Sequence, residues 1–81
     1  MNHAFTADDI AQHLRGLQDS VTTIDAIIAA GERTDEALAA ADRNMRHIEI
    51  MCAMPQLQEC GTDLKPYTDA AARGSAWLAQ N

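Results

Sequence analysis

The side chains that could bind a transition metal are few, and His47, Cys52 and Cys60 form their only cluster along the 81-residue chain. Structural zinc sites usually contain pairs of ligands separated by two to four residues. Here the intervening segments are longer, with four and seven residues. We therefore expect no metal and no cofactor. Cys52 is expected to be a small buried hydrophobic residue, and Cys60 either packs in a corner of the fold or stays free.

A Cys–His nucleophile pair is the second chemistry to consider, because His47 and Cys52 are five positions apart. In a helix that separation turns the two side chains about 140° away from each other, whereas residues three or four apart share a face. The sequence also contains no glycine-rich phosphate loop, nucleophile elbow or HExxH motif. The acid pairs Asp8-Asp9 and Asp35-Glu36 suit the first turns of helices, where negative charge is favourable. We predict that the protein is not an enzyme.

The charge balance excludes two classes of partner. The chain has 12 acidic residues against 6 Lys and Arg, a net charge of -6, which disfavours binding to a phosphate backbone. No unbroken apolar stretch exceeds five residues, such as Ala26–Ala30, and a membrane-spanning helix needs about 20. The start, Met1–Phe5, has no basic region leading into a long apolar run, as a signal peptide would. We expect a soluble protein of the bacterial cytoplasm that binds neither nucleic acid directly nor a membrane.

Two long helices are predicted in the first two thirds of the chain. The first spans about residues 7–30, from the N-cap Thr6 to the stop at Gly31. Its apolar residues recur every three or four positions, at Ile10, Leu14, Leu17, Val21, Ile24 and Ile28. The second spans about residues 35–53, from the cap Thr34 until Pro55 ends it. A connection this short places the two helices antiparallel.

A third helix is predicted after a corner. Residues 55–60 begin with Pro55 and precede Gly61, which suits one extra helical turn. Asp63 as the N-cap then starts a helix over about residues 64–79, with Pro66 in its first turn. The predicted fold is all-α, an antiparallel hairpin plus a third helix in one domain over residues 1–81.

Acidic residues are concentrated in the first half of the chain. They are Asp8, Asp9, Asp19, Asp25, Glu32, Asp35, Glu36 and Asp42, opposed there only by Arg15 and Arg33. One interpretation is a set of solvated helix faces. The other is a negative surface for a basic protein partner, since complementary charge speeds encounter and sets the binding register. In that case the predicted contacts are Asp19, Asp25, Glu32, Asp35 and Glu36.

The apolar content is high, but 16 of the 81 residues are Ala, so the core is expected to be thin. The second helix is apolar around most of its circumference near Ile50, Met51 and Met54. A three-helix core could cover it, or it could remain open for a partner or a second copy. For a homodimer the predicted interface residues are Ile24, Ile28, Met51 and Met54, with the apolar face of the first helix paired between copies.

Part of the C-terminal half resembles a known group of proteins. The segment Ala41–Met51, which contains Arg43-Asn44 and Ile48-Glu49-Ile50-Met51, and the segment Asp63–Tyr67 with its Ala-rich continuation to Gly74, resemble small proteins encoded by bacteriophages and prophages. This pattern contains no catalytic residue.

A smaller set of residues, Arg43-Asn44, Ile48–Met51 and Glu59-Cys60-Gly61, resembles part of an all-helical anti-CRISPR protein. The resemblance implies a non-enzymatic inhibitor that binds a host defence complex and occludes a basic nucleic-acid-binding surface. The leading expectation is thus a phage-type protein that acts by protein–protein binding. The alternative is a homo-oligomeric assembly module of a phage or prophage. A DNA-binding regulator is disfavoured because no predicted helix has a basic recognition face.

Overall fold

The structure is a computed structural model that describes residues 6–80, and it confirms the all-α fold. Its helices are α1 (Ala7–Ala30), α2 (Asp35–Cys52), α3 (Pro55–Gln58) and α4 (Lys65–Leu78), and the described residues contain no strand. The helices α1, α2 and α4 form an elongated bundle of 47 × 21 × 16 Å in which each packs against the other two. The single turn α3 contacts α2, and its Leu57 is fully buried in the core.

Local hydrogen bonds explain where α1 begins and ends. The Thr6 hydroxyl accepts a hydrogen bond from the Asp9 N–H at 3.1 Å, and the Asp9 carboxylate accepts one from the Thr6 N–H at 3.0 Å. This reciprocal capping box pairs donors that the first turn leaves unpaired. The hydrogen bonds from the Thr6 N–H and hydroxyl also lower the pKa of Asp9. At the other end Gly31 has φ 72°, a left-handed conformation that glycine adopts without strain.

The connection between α1 and α2 is as short as the sequence predicts. Thr34 caps α2 by accepting a hydrogen bond from the Ala37 N–H at 3.1 Å. Helix α2 ends at Cys52, one residue before the predicted end, and Ala53 is its C-cap. Pro55 is the first residue of α3, where its missing N–H costs no hydrogen bond.

The N-terminus of α4 differs from the prediction. Leu64, not Asp63, is the N-cap, and it makes no side-chain capping hydrogen bond. The Asp63 carboxylate lies one position upstream and accepts a hydrogen bond from the Lys65 N–H at 3.0 Å. The aspartate therefore still pairs an N–H at the start of the helix, but from outside it. Pro66 is in the first turn as predicted.

The core lies along the line where the three long helices meet. Its fully buried residues are Leu17, Ile24, Ala41, Ile48, Leu57 and Ala70. Gly74 of α4 is buried as well, and a Cβ atom there would lie 3.4 Å from Ile24. That is an ordinary van der Waals distance, so α4 and α1 are in direct contact at Gly74.

Two of the four predicted dimer-interface residues are buried within the chain. Ile24 is fully buried and Met51 retains 9% of its surface in the same core, so these two side chains have little surface to offer a second copy. Ile28 and Met54 are half-buried and pack against that core. Of the apolar residues near the end of α2, Ile50 is the exposed one, with 65% of its surface accessible. The physical reason is that α1 and α4 cover two sides of α2 and leave the side of Ile50 open.

None of the helices within residues 6–80 is both long and apolar enough to cross a membrane.

Candidate functional site

A groove lies on the surface where the C-terminal half of α1 meets the start of α2. We call it the hairpin groove; it has a volume of about 390 Å³. Its lining residues are Thr22, Thr23, Ala26, Ile27, Ala30, Glu32 and Ala37. The concavity exists because three of these are alanines, whose short side chains leave space between the two helices. Ile27 is its largest apolar side chain and is half-buried.

Four of the predicted contact residues surround this groove or lie next to it. Glu32 lines it, Glu36 precedes the lining residue Ala37, and Asp19 lies one helical turn before Thr22 and Thr23 on α1. Asp35 begins α2 beside Glu36. All four carboxylates are exposed, and none forms an ion pair with a described residue. We call these four residues the acidic end of the hairpin; it presents uncompensated negative charge beside an apolar surface.

Asp25, the fifth predicted contact, has a different role. Its carboxylate accepts hydrogen bonds of 3.1 to 3.2 Å from the Arg73 guanidinium, which joins α1 to α4. Both side chains are about half exposed, at 49%. The charge of Asp25 is therefore paired inside the chain. The pairing was not visible in the sequence, because Arg73 is 48 positions away.

Arg33 follows Glu32 in the sequence, but its guanidinium contacts the end of α4 instead of the acidic residues. Its guanidinium donates hydrogen bonds to the Trp77 carbonyl at 2.8 Å and the Gln80 carbonyl at 2.7 Å, and it lies 4.5 Å from the centre of the Trp77 ring. It thus caps the C-terminus of α4 rather than neutralising the acidic end. Arg15, one turn before Asp19, is the remaining cation in this part of α1.

A second groove of about 470 Å³ separates α2 from α4. Ile48, Cys52 and Ala71 lie at its base, and Glu49 is the one carboxylate among its lining residues. The hairpin groove likewise has one carboxylate in its lining, Glu32, but Asp69, which follows the lining residue Thr68 of the second groove, is paired with Lys65 at 2.8 Å.

Sequence reasoning missed a hydrogen bond between Ser20 and His47. The Ser20 hydroxyl lies 2.8 Å from His47 Nδ1 and connects α1 to α2. Ser20 retains only 4% of its accessible surface, so its hydroxyl cannot reach a substrate as a nucleophile would. The one sequence signal for this pair is a polar residue at a core-facing position between Leu17 and Ile24.

The two cysteines are both free thiols in different surroundings. Cys52 is buried, as predicted, and burial raises its pKa. Cys60 is half-buried, and its thiol donates a hydrogen bond to the Leu57 carbonyl at 3.0 Å. Hydrogen bonds from the Thr62 hydroxyl and N–H lower the pKa of Cys60. Within residues 6–80, no three His, Cys, Asp or Glu side chains are grouped in a way that could hold a metal ion.

Comparisons with protein families, curated proteins and solved structures found no significant match to the chain. Its surface is therefore the basis on which a function can be proposed.

Proposed function

We propose that the protein binds a larger protein or protein complex through the acidic end of the hairpin, without catalysing a reaction. The observation that supports this is the group of four exposed carboxylates, Asp19, Glu32, Asp35 and Glu36, without ion pairs among the described residues, beside the apolar hairpin groove. Uncompensated charge of one sign attracts a surface of the opposite sign and orients it during encounter. The partner surface is therefore basic.

The most specific form of this proposal is inhibition of a bacterial defence complex. A basic surface in such a complex binds nucleic acid, and an acidic protein that covers it competes with the nucleic acid for the same Lys and Arg side chains. The charge of the acidic end and the resemblance of residues 41–51 and 63–67 to phage and prophage proteins support this form. A CRISPR-Cas effector complex in the bacterial cytoplasm is the proposed target.

The test is a pair of matched charge reversals. Asp19→Lys/Glu32→Lys/Glu36→Lys changes the acidic end, whereas Asp8→Lys/Glu49→Lys/Glu59→Lys changes the net charge by the same amount at other exposed sites. Each set includes one residue in the first turn of a helix, so the penalty from the helix dipole is matched. Asp25 is left unchanged because its reversal would break the contact with Arg73.

Each tagged variant is used to capture partners from a bacterial lysate, and bound proteins are eluted with a salt gradient and identified by mass spectrometry. We expect a basic nucleic-acid-binding protein that elutes at moderate salt from wild type and from the control variant, but not from the acidic-end variant. Equal capture by both variants would show that the charge-based mechanism is wrong. For a purified effector complex, competition with its target DNA is the direct assay of inhibition.

The alternative function is a homo-oligomeric assembly module. The observation that favours it is the exposed Ile50 on the outer side of α2, with half-buried Met54 and Ile28 as the predicted interface residues that keep some accessible surface. A sedimentation mass equal to one chain at high micromolar concentration would remove this alternative.

A further inference from the structure

The hairpin groove is suited to a particular kind of partner segment, and this inference rests on the proposed function. We propose that the groove receives apolar side chains from a basic amphipathic helix of the partner, whose Lys and Arg side chains pair with Glu32, Glu36 and Asp19. The carboxylates alone would attract any basic surface. The groove adds a requirement for aligned apolar side chains.

The two threonines of the groove use part of their hydrogen-bonding capacity within α1. The Thr23 hydroxyl donates to the Asp19 carbonyl at 2.9 Å, and the Thr22 hydroxyl accepts from the Gln18 amide at 3.5 Å. The largest continuous surface for an occupant is apolar and consists of Ala26, Ile27, Ala30 and Ala37. Apolar side chains gain most from this surface, because contact with it removes apolar area from water.

The size of the groove limits what can enter. Its volume of about 390 Å³ is near the lower end of the roughly 300–1,000 Å³ found for small-ligand pockets. It is an open groove between two antiparallel helices rather than an enclosed cavity, so it accommodates a few side chains projecting from one face of a segment. A strand is the less suitable segment, because residues 6–80 contain no sheet edge with which it could pair. A helix can pack its ridge of side chains between α1 and α2.

The carboxylates beside the hairpin groove favour a partner helix with positive charge. Glu32 lines the groove, Glu36 adjoins it, and the nearby Arg33 is held by the carbonyls of Trp77 and Gln80. An acidic or phosphorylated segment would be repelled there. The second groove, between α2 and α4, also has one carboxylate in its lining, Glu49, but the adjacent Asp69 is paired with Lys65.

A synthetic peptide pair provides the probe. One peptide is a helix with Leu at positions i, i+3, i+4 and i+7 and Lys on its other faces. The other has the same composition in an order that scatters the Leu residues around the helix. We expect the aligned peptide to bind at least about tenfold more tightly, because only it can bury its apolar side chains together. In a ¹H–¹⁵N spectrum we expect its largest shifts at the amides of Ala26, Ile27, Ala30 and Ala37.

The matched variants are Ala26→Trp, which fills the groove, and Ala11→Trp, which places the same side chain at an exposed position of α1 outside the groove. We expect Ala26→Trp to weaken binding of the aligned peptide by roughly tenfold or more, and Ala11→Trp to leave it within about twofold. Circular dichroism checks that both variants remain folded.

The outcomes separate this inference from the function on which it rests. If the acidic-end reversal abolishes binding but Ala26→Trp does not, charge attracts the partner and the groove inference is wrong. Equal binding of the two peptides, no binding at millimolar concentration, or shifts centred on the groove between α2 and α4 would each also overturn it. If neither the reversal nor Ala26→Trp changes binding, both the groove inference and the charge-based function are wrong.

Discussion

Several polar side chains of this protein connect helices that are far apart in sequence. Ser20 and His47 are 27 positions apart, and Asp25 and Arg73 are 48 apart. A hydrogen bond between neutral groups contributes about 1 kcal/mol, and an exposed ion pair contributes about 0 to 1 kcal/mol. Each contact therefore adds little to the free energy of unfolding. Its main effect is to fix which faces of the helices pack together. The second contact pairs the charge of Asp25 with a cation of its own chain.

The two cysteines lead to a prediction at the residue scale. Cys60 should react with iodoacetamide much faster than Cys52, because it is more accessible and hydrogen bonds from Thr62 lower its pKa, whereas burial raises that of Cys52. A lower pKa means that the reactive thiolate of Cys60 forms at lower pH than in an ordinary thiol. Peptide mass spectrometry of a labelling time course at several pH values measures both effects.

Thr62→Val tests the cause of this reactivity. The substitution removes the hydroxyl but keeps the backbone N–H, so the pH midpoint for labelling Cys60 should move upward, toward that of a free thiol, while Cys52 is unaffected. An unchanged midpoint would show that Thr62 does not control the thiol.

At the scale of elements, the C-terminal end of α4 is held mainly through one arginine. Arg33 lies in the connection between α1 and α2 and donates to the carbonyls of Trp77 and Gln80. The Trp77 carbonyl also accepts a hydrogen bond from the Gln80 N–H at 3.2 Å, so Arg33 adds a second donor there. A cation is favourable there because the carbonyl end of a helix is negative. The Trp77 ring beneath the guanidinium adds a cation–π contact. One side chain thus joins the hairpin to α4.

Arg33→Met should destabilise the protein by about 1–3 kcal/mol, since it removes two charge-assisted hydrogen bonds and the contact with the ring. The control is Arg43→Met, the same change at an exposed position of α2 that forms no ion pair with any described residue. Urea unfolding gives the free energies, and amide hydrogen exchange should show the loss of protection concentrated at the end of α4. Equal effects of the two substitutions would contradict a specific role for Arg33.

At the scale of the whole molecule, small side chains determine how the helices meet. Gly74 and Ala70 of α4 and Ala41 of α2 are buried where the three long helices come together, so the helices approach closely and little apolar volume is needed to fill the core. A core of this kind depends strongly on its few large members, which include Leu17, Ile24 and Ile48.

Ile24→Ala should therefore destabilise the single chain by about 2–5 kcal/mol, because it leaves a cavity among fully buried residues. That is a large part of the stability of a small domain. The loss should be the same at low and high protein concentration, since Ile24 packs within its own chain. Thermal unfolding over a hundredfold concentration range measures this. A wild-type midpoint that rises with concentration would instead show that the folded protein is an oligomer.

Most of the acidic end of the hairpin was predicted from the sequence, but the groove beside it was not. The excess of acids in the first half and its placement on a helical hairpin follow from composition and helix periodicity. Five contact residues were predicted. Asp19, Glu32, Asp35 and Glu36 are exposed and form no ion pair with any residue in 6–80, whereas Asp25 pairs with Arg73. The hairpin groove was not predicted, because a concavity depends on the spacing between two packed helices.

The sequence by itself determined the helices, since their ends depend on interactions within a few residues. Thr6, Thr34 and Gly31 act through hydrogen bonds and backbone angles that the neighbouring residues define. The tertiary structure alone decided which side of each helix is covered. Met51 is buried and Ile50 exposed although they are adjacent, because only the packing of α1 and α4 around α2 distinguishes their sides. In the same way, the free or paired state of a charge such as Asp25 depends on residues that folding brings from distant parts of the chain.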